Sequence, residues 1–254
     1  MCSRVVSFKW YSRDSPRSSR SWVPTVAHET PAATDAAVQA EQIRTLYSQS
    51  PAMFAVSPLT ATIVAVVFWP TADRRLLIAW VTTITVVVMV RAAVRYRYLR
   101  AQPFADETST WARRLVWGAL DTGLLWGLGG ALFYDPGAFV PQLLLAFAIG
   151  GMVAGASGTF ALHLPAFLAF AASAILPVAA RMLAEGDVPH IAMGGLAIIY
   201  GMAMWLITAH SNRALVESFH LRFDICYIKC DVMQAFTFFF NELCDHPIRV
   251  YTFQ

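Results

Sequence analysis

Few residues in this 254-residue chain have types and spacings suited to chemistry, and they are scattered. Asp121 is the acid set inside an apolar run, 115–134, about a third of the way along it. A carboxylate at the centre of a bilayer costs roughly 2.5–3.5 kcal/mol on insertion scales, so Asp121 is expected to face a bundle interior. Two readings are open: a proton or cation site, or a buried acid bonded to a hydroxyl or backbone group on a neighbouring helix. Cys226, Cys230, Cys244 and His246 offer thiolate and imidazole ligands in the order C-x3-C-x13-C-x-H. That spacing leaves the last pair too close together for a zinc knuckle, and no metal is expected there. His163 and His210 fall near ends of apolar runs, where a lone histidine serves as a polar anchor unless a second one faces it. The chain has no phosphate-binding Gly-Lys loop, no G-x-S-x-G and no H-E-x-x-H, so neither a cofactor nor enzymatic activity is expected.

Gly123 with Gly127, and Gly151 with Gly155, form two GxxxG pairs. Small residues one helical turn apart let two helix backbones approach closely. Within one chain this would pack the third apolar run on the fourth. Between chains it would make a homodimer, the expected oligomeric partner.

These residues need a scaffold, and composition says which kind. Hydrophobic residues make up 57% of the chain, charged residues 14%, and mean hydropathy is +0.52. A soluble domain carries roughly 25% charged residues, so the lipid bilayer is the first partner to consider. Between 115 and 180 there is no Lys or Arg at all. Four Cys, three of them in the last 30 residues, argue against a disulfide-stapled secreted module.

Six apolar runs can be placed, at 51–69, 76–90 (extending to about 96), 115–134, 139–158, 165–183 and 191–208. Runs rich in Val, Thr and Ile are still expected to be helical, because a bilayer requires each backbone group to be bonded within its own segment. The second run is short for a crossing, and snorkelling of Arg91 and Arg95 to the interface would lengthen it. The expected fold is an all-α polytopic membrane bundle of about six transmembrane helices occupying 51–208. Ahead of it lie a disordered basic segment, 1–33, and an amphipathic helix, 34–50, with Ala36, Ala40, Ile43 and Tyr47 on one face.

The +3 net charge conceals a large asymmetry. Sixteen basic residues fall in the N-terminal segment, the loop between the second and third runs and the tail; three (Arg74, Arg75 and Arg181) fall in the alternate loops. Basic loops stay in the cytoplasm, so both termini are expected there. The charge therefore reports orientation and implies no nucleic-acid partner.

Three stretches, EQIRTLYSQSP (41–51), WARRLVWGALDTGLLWGLGGALF (111–133) and HSNRALVESFHLRFD (210–224), resemble the membrane-embedded input regions of bacterial sensor proteins. Such regions precede histidine kinase or GGDEF/EAL cyclic-di-GMP output domains. The resemblance covers roughly residues 40–224, implies residence in the bacterial cytoplasmic membrane and a role in signal transduction, and names no ligand. Physically, Leu215, Phe219 and Phe223 recur every fourth residue, as on a cytoplasmic signalling helix at 209–224. The segment 225–254, with Phe238, Phe239 and Phe240 and no heptad pattern, departs from the family and reads as an atypical tail in place of the output domain, either a shifted reading frame, the favoured expectation, or a naturally short membrane protein. A small transporter using Asp121 is the alternative function, and a purely structural membrane anchor a third.

Overall fold

The structure is a computed structural model. It describes the backbone of residues 31–48, 52–101, 107–135 and 137–245, and side chains within that set between 38 and 221, apart from 52, 53, 139 and 220. Of the segment 1–33, read as disordered, residues 1–30 lie outside the described residues and Pro31 to Ala33 belong to the first helix. The described chain is all-α: α1 (Pro31–Ser48), α2 (Ala52–Phe68), α3 (Arg74–Ala101), α4 (Thr108–Leu132), α5 (Phe139–Thr159), α6 (Leu164–Glu185) and α7 (Val188–Asp245).

Helices α3 to α7 are each long and apolar enough to cross a membrane. The apolar helix α2 is shorter: its 17 residues span about 26 Å at 1.5 Å per residue, against about 30 Å of hydrocarbon. The run boundaries differ from expectation mainly at α4, which begins at Thr108, seven residues earlier than the apolar run. Arg113 and Arg114 are exposed in its second turn. Helix α7 also outruns its apolar stretch and stays helical to Asp245. No Gly or Pro occurs between 202 and 245 to stop it.

Residues Pro31–Val216 form one compact unit. In the second unit, Met1–Thr30 with Glu217–Gln254, the described part is the continuation of α7.

The core of the first unit is centred on α4 and α6. Gly123 and Gly127 lie flat against α6: a Cβ at Gly123 would run into the Ser173 hydroxyl and the Phe170 carbonyl, and one at Gly127 into the Ser173 carbonyl and, at 2.9 Å, Pro177 Cγ. The close approach is thus with the sixth helix and not with α5, the neighbour in sequence. Pro177 inside α6 lacks a backbone donor, a defect tolerated where a neighbouring helix packs tightly. Ser173 Oγ donates back to Ala169 O at 2.6 Å, so its hydroxyl is satisfied inside its own helix.

Two indoles cross-link the bundle. Trp80 Nε1 donates to the Leu125 carbonyl at 2.7 Å, and fully buried Trp126 Nε1 donates to Ser57 Oγ at 3.0 Å. The two rings meet edge to face at 5.4 Å. In this way α2, α3 and α4 are tied by bonds whose polar atoms would otherwise be orphaned in an apolar core. Two helix ends are closed locally. His163 Nδ1 accepts from Ala166 N at 3.3 Å at the start of α6, and Gly186, at φ 78°, provides the left-handed residue that ends it.

Candidate functional site

Helix α3 buries Leu77, Trp80, Ile84 and Val88, a stripe at spacings of three and four. The next position on that stripe is Arg91, and the register turns its side chain inward toward α4. Arg91 Nη1 donates to Thr122 Oγ1 at 2.9 Å. The same hydroxyl donates to Gly118 O at 2.8 Å, so its proton is committed and its lone pairs face the guanidinium. Arg91 also lies over the Phe54 ring of α2 at 5.9 Å. It packs close to Gly118, where a Cβ would approach Arg91 Nε at 3.3 Å. Helix α3 runs on to Ala101, past the expected 96, and on it Arg91 continues the buried stripe and bonds to α4.

Asp121 precedes Thr122 in α4. Buried positions on this helix are Trp111, Ala119, Thr122, Gly123, Trp126, Gly127, Gly129 and Gly130; Asp121 falls on another stripe with Trp117, Leu124 and Leu128, and is exposed. It does not point into the interior as expected, because Thr122 and Gly123 occupy the inward positions of that turn. Its carboxylate acts electrostatically on Arg91 and lines the same cleft.

That cleft has a volume of ≈540 Å³. Tyr47 from α1, Phe54 and Ser57 from α2, Arg91 and Arg95 from α3, Arg114 and Asp121 from α4, and Gly151 and Gly155 from α5 border it. The second GxxxG pair thus does something different from the first. A Cβ at Gly151 or Gly155 meets nothing within 4 Å, and the pair forms a smooth open wall.

An aromatic cluster stands at one rim. Tyr47 stacks on Tyr98 at 4.2 Å, and Trp111 meets both edge-on, at 5.9 and 5.1 Å. Tyr47 OH donates to the Trp111 carbonyl at 3.2 Å. Burial, reinforced by Tyr98, pushes the Tyr47 phenol up to about 12, so it stays a neutral donor. These contacts dock the pre-membrane helix onto α3 and α4. Its buried face is Val38, Gln42, Ile43, Leu46 and Tyr47, which includes Ile43 and Tyr47 of the expected face; Ala40 is half-buried and the Ala36 side chain lies outside the described residues.

Charged groups gather at the other ends of α4 and α6. Arg181 pairs with Glu185 and lies over the Tyr134 ring at 5.7 Å, His190 pairs with Asp187, and His190 meets Tyr134 edge-on at 5.8 Å. Burial first, then Glu185 and Asp187, raise the Tyr134 phenol above its ordinary range. Arg181 and Glu185 pair along α6, Asp187 and His190 pair at the start of α7, and the Tyr134 ring touches one member of each pair.

Of the remaining sequence-predicted residues, His163 is the α6 cap and His210 is exposed on α7. Leu215 is exposed on α7; Phe219 and Phe223 lie on the same helix, the Phe223 side chain outside the described residues. Cys226, Cys230 and Cys244 are on the α7 backbone with side chains outside the described residues, and His246 lies outside altogether. Among the described residues no group of three His, Cys, Asp or Glu is placed to hold a metal ion. The inward Arg91 and the Tyr47 cluster were missed at the sequence level. A signal for Arg91 existed, since it continues the spacing of Ile84 and Val88. No family model, curated protein or solved structure matches this chain.

Proposed function

We propose that this chain is the membrane-embedded input module of a bacterial signal-transduction protein, of the kind that stands ahead of a histidine kinase or cyclic-di-GMP output domain. It lies in the cytoplasmic membrane with six crossings, α2 included, and both termini inside. The chain itself carries no catalytic step. The observation that carries this reading is α7, one unbroken helix from Val188 to Asp245 whose apolar span continues without a Gly or Pro into polar sequence. A change of packing at the span is transmitted by such a helix as rotation or shift, as it would not be through a flexible linker. The sixteen-to-three distribution of basic residues supports the cytoplasmic placement of the helix end. A homodimer through α7 belongs to the same reading, because its span is the least enclosed of the five, 11% buried against 56% for α6.

The test is a chimera joining the chain through Asp224 to the catalytic half of a histidine kinase, with one to four alanines inserted after His210. Each insertion rotates the downstream helix by about 100°. Autophosphorylation that rises and falls with insertion number supports the reading; activity indifferent to the insertions contradicts it. A small transporter is the second reading, favoured by the shared cleft of Asp121 and Arg91. Asp121→Asn would abolish its flux and leave insertion phasing untouched.

A further inference from the structure

We propose that Asn212 is a latch on α7: its bond to the turn between α5 and α6 holds the second half of the span against the bundle, and opening it frees that half while the first half stays docked. The use of the latch as a signal rests on the reading of α7 as the transmitting helix; the latch itself does not.

The first half of the span is held by close packing. Gly194, Ala197 and Gly201 follow one another at spacings of three and four on its inward face. A Cβ at Gly194 would meet Leu183 Cγ at 2.9 Å and the Ala179 carbonyl at 3.2 Å, and one at Gly201 would meet Ile175 Cδ1 at 3.0 Å. The two glycines thus seat α7 on α6. Between them and the next turn, Tyr200 OH donates to the Gly150 carbonyl of α5 at 2.6 Å.

Beyond Gly201 the support changes. No further glycine lets the backbones approach, and Leu206, Ile207 and Leu215 are exposed. Thr208 is buried, yet its hydroxyl donates to Met204 O at 2.7 Å, inside its own helix. The tie across to the bundle at this end is Asn212, whose Nδ2 donates to the Ala161 carbonyl at 2.7 Å. It lies about 18 Å along the axis from Tyr200, at 1.5 Å per residue. The acceptor belongs to a fixed turn. Phe160, Ala161 and Leu162 are buried, and His163 N donates to the Phe160 carbonyl at 2.9 Å. When the bond breaks, the motion therefore falls to α7. A hydrogen bond between helices in a membrane shifts an equilibrium about threefold on average and about eighteenfold at most, enough to select a position and little enough to be reversed by a change in packing.

The full chain carrying Thr208→Cys, with Cys2, Cys226, Cys230 and Cys244 each replaced by Ser, is purified in a nonionic detergent and its labelling by a water-soluble maleimide is timed. Asn212→Asp, the same size without the donor, is expected to raise the labelling rate at position 208 at least about twofold. Asn212→Ser, whose hydroxyl is too short to reach Ala161, gives the same rise and decides the matter if Asn212→Asp does not fold. Asn212→Gln keeps the amide donor and stays within about twofold of the parent. With His210→Cys in place of Thr208→Cys, a position exposed in the closed state, the rate is the same in every background. A rise below twofold in both the Asp and Ser variants overturns the proposal. So does an equal rise in Asn212→Gln, which would make packing the cause, or an equal rise at position 210, which would make it general loosening. Asn212→Asp in the kinase chimera then separates the latch from its use. Altered autophosphorylation supports both, whereas faster labelling with unaltered autophosphorylation keeps the latch and contradicts the signalling reading.

Discussion

Arg91 of α3 donates to Thr122 of α4 at 2.9 Å, and Thr122 hands its own proton to Gly118 one turn earlier. An arginine within an apolar span is thereby fixed by a hydroxyl that has no alternative role. Removing the acceptor should loosen α3 from α4. Thr122→Val is expected to cost roughly 1–3 kcal/mol, the range for a bond to a charged group left unpaired, and Thr122→Ser much less. Thermal unfolding in detergent, compared with the Arg91→Gln and double variants, separates the pair's coupling from the individual losses.

The two GxxxG pairs should respond oppositely to alanine. At Gly123 and Gly127 a methyl group collides with the α6 backbone, so each substitution is expected to destabilise by about 1–3 kcal/mol. Gly151→Ala and Gly155→Ala meet open space and gain helix propensity, so stability is unchanged or up to about 1 kcal/mol higher. The measurement is the melting temperature of all four single variants.

Tyr47 anchors α1 by a hydrogen bond and by stacking, and the two can be separated. Tyr47→Phe keeps the ring and loses about 0.5–1.5 kcal/mol. Tyr47→Ala loses the stack on Tyr98 and the contact with Trp111, about 3 kcal/mol or more, and should expose α1 to protease. Limited proteolysis near Arg44 reads the difference.

His163 gives the bundle a pH dependence of known sign. Burial holds its imidazole below the ordinary value of 6.5, and the neutral ring is the one that accepts from Ala166 N. The unfolded chain therefore binds a proton before the folded chain does. Stability is whole above 6.5 and falls as pH drops toward the folded value. Melting curves between pH 7.5 and 5.5 should show a loss in the wild type that is smaller in His163→Asn, which keeps a capping acceptor and does not titrate.

The helices were legible because bilayer-length apolar runs separated by Pro, Gly and charged turns leave few alternatives; Asp135 with Gly137, and Glu185 to Asp187, mark real helix ends. Neighbour relations were not legible. Gly123 and Gly127 announce a close approach and not its partner, and the partner proved to be α6, whose Ser173 and Pro177 carry no outward mark of that role. Asp121 illustrates the same limit. Its cost in lipid pointed inward, yet Thr122 and Gly123 sit on the buried stripe, and the charged group that bonds across to the neighbouring helix is Arg91. A single turn of helix decides such questions, and hydropathy averaged over a span cannot see it.

Six crossings with both ends in the cytoplasm are the premise of a signal passing through α7, and alkaline phosphatase fusions along the chain test it most directly. Fusions after Asp135 and after Gly186 should be active, and fusions after Leu162 and after Asp224 inactive. An N-terminal fluorescent protein should stay lit and protected from external protease, which places α2 across the membrane despite its short length. An inactive fusion after Asp135, or an N-terminus open to external protease, would contradict the topology and with it the path from span to cytoplasm through α7.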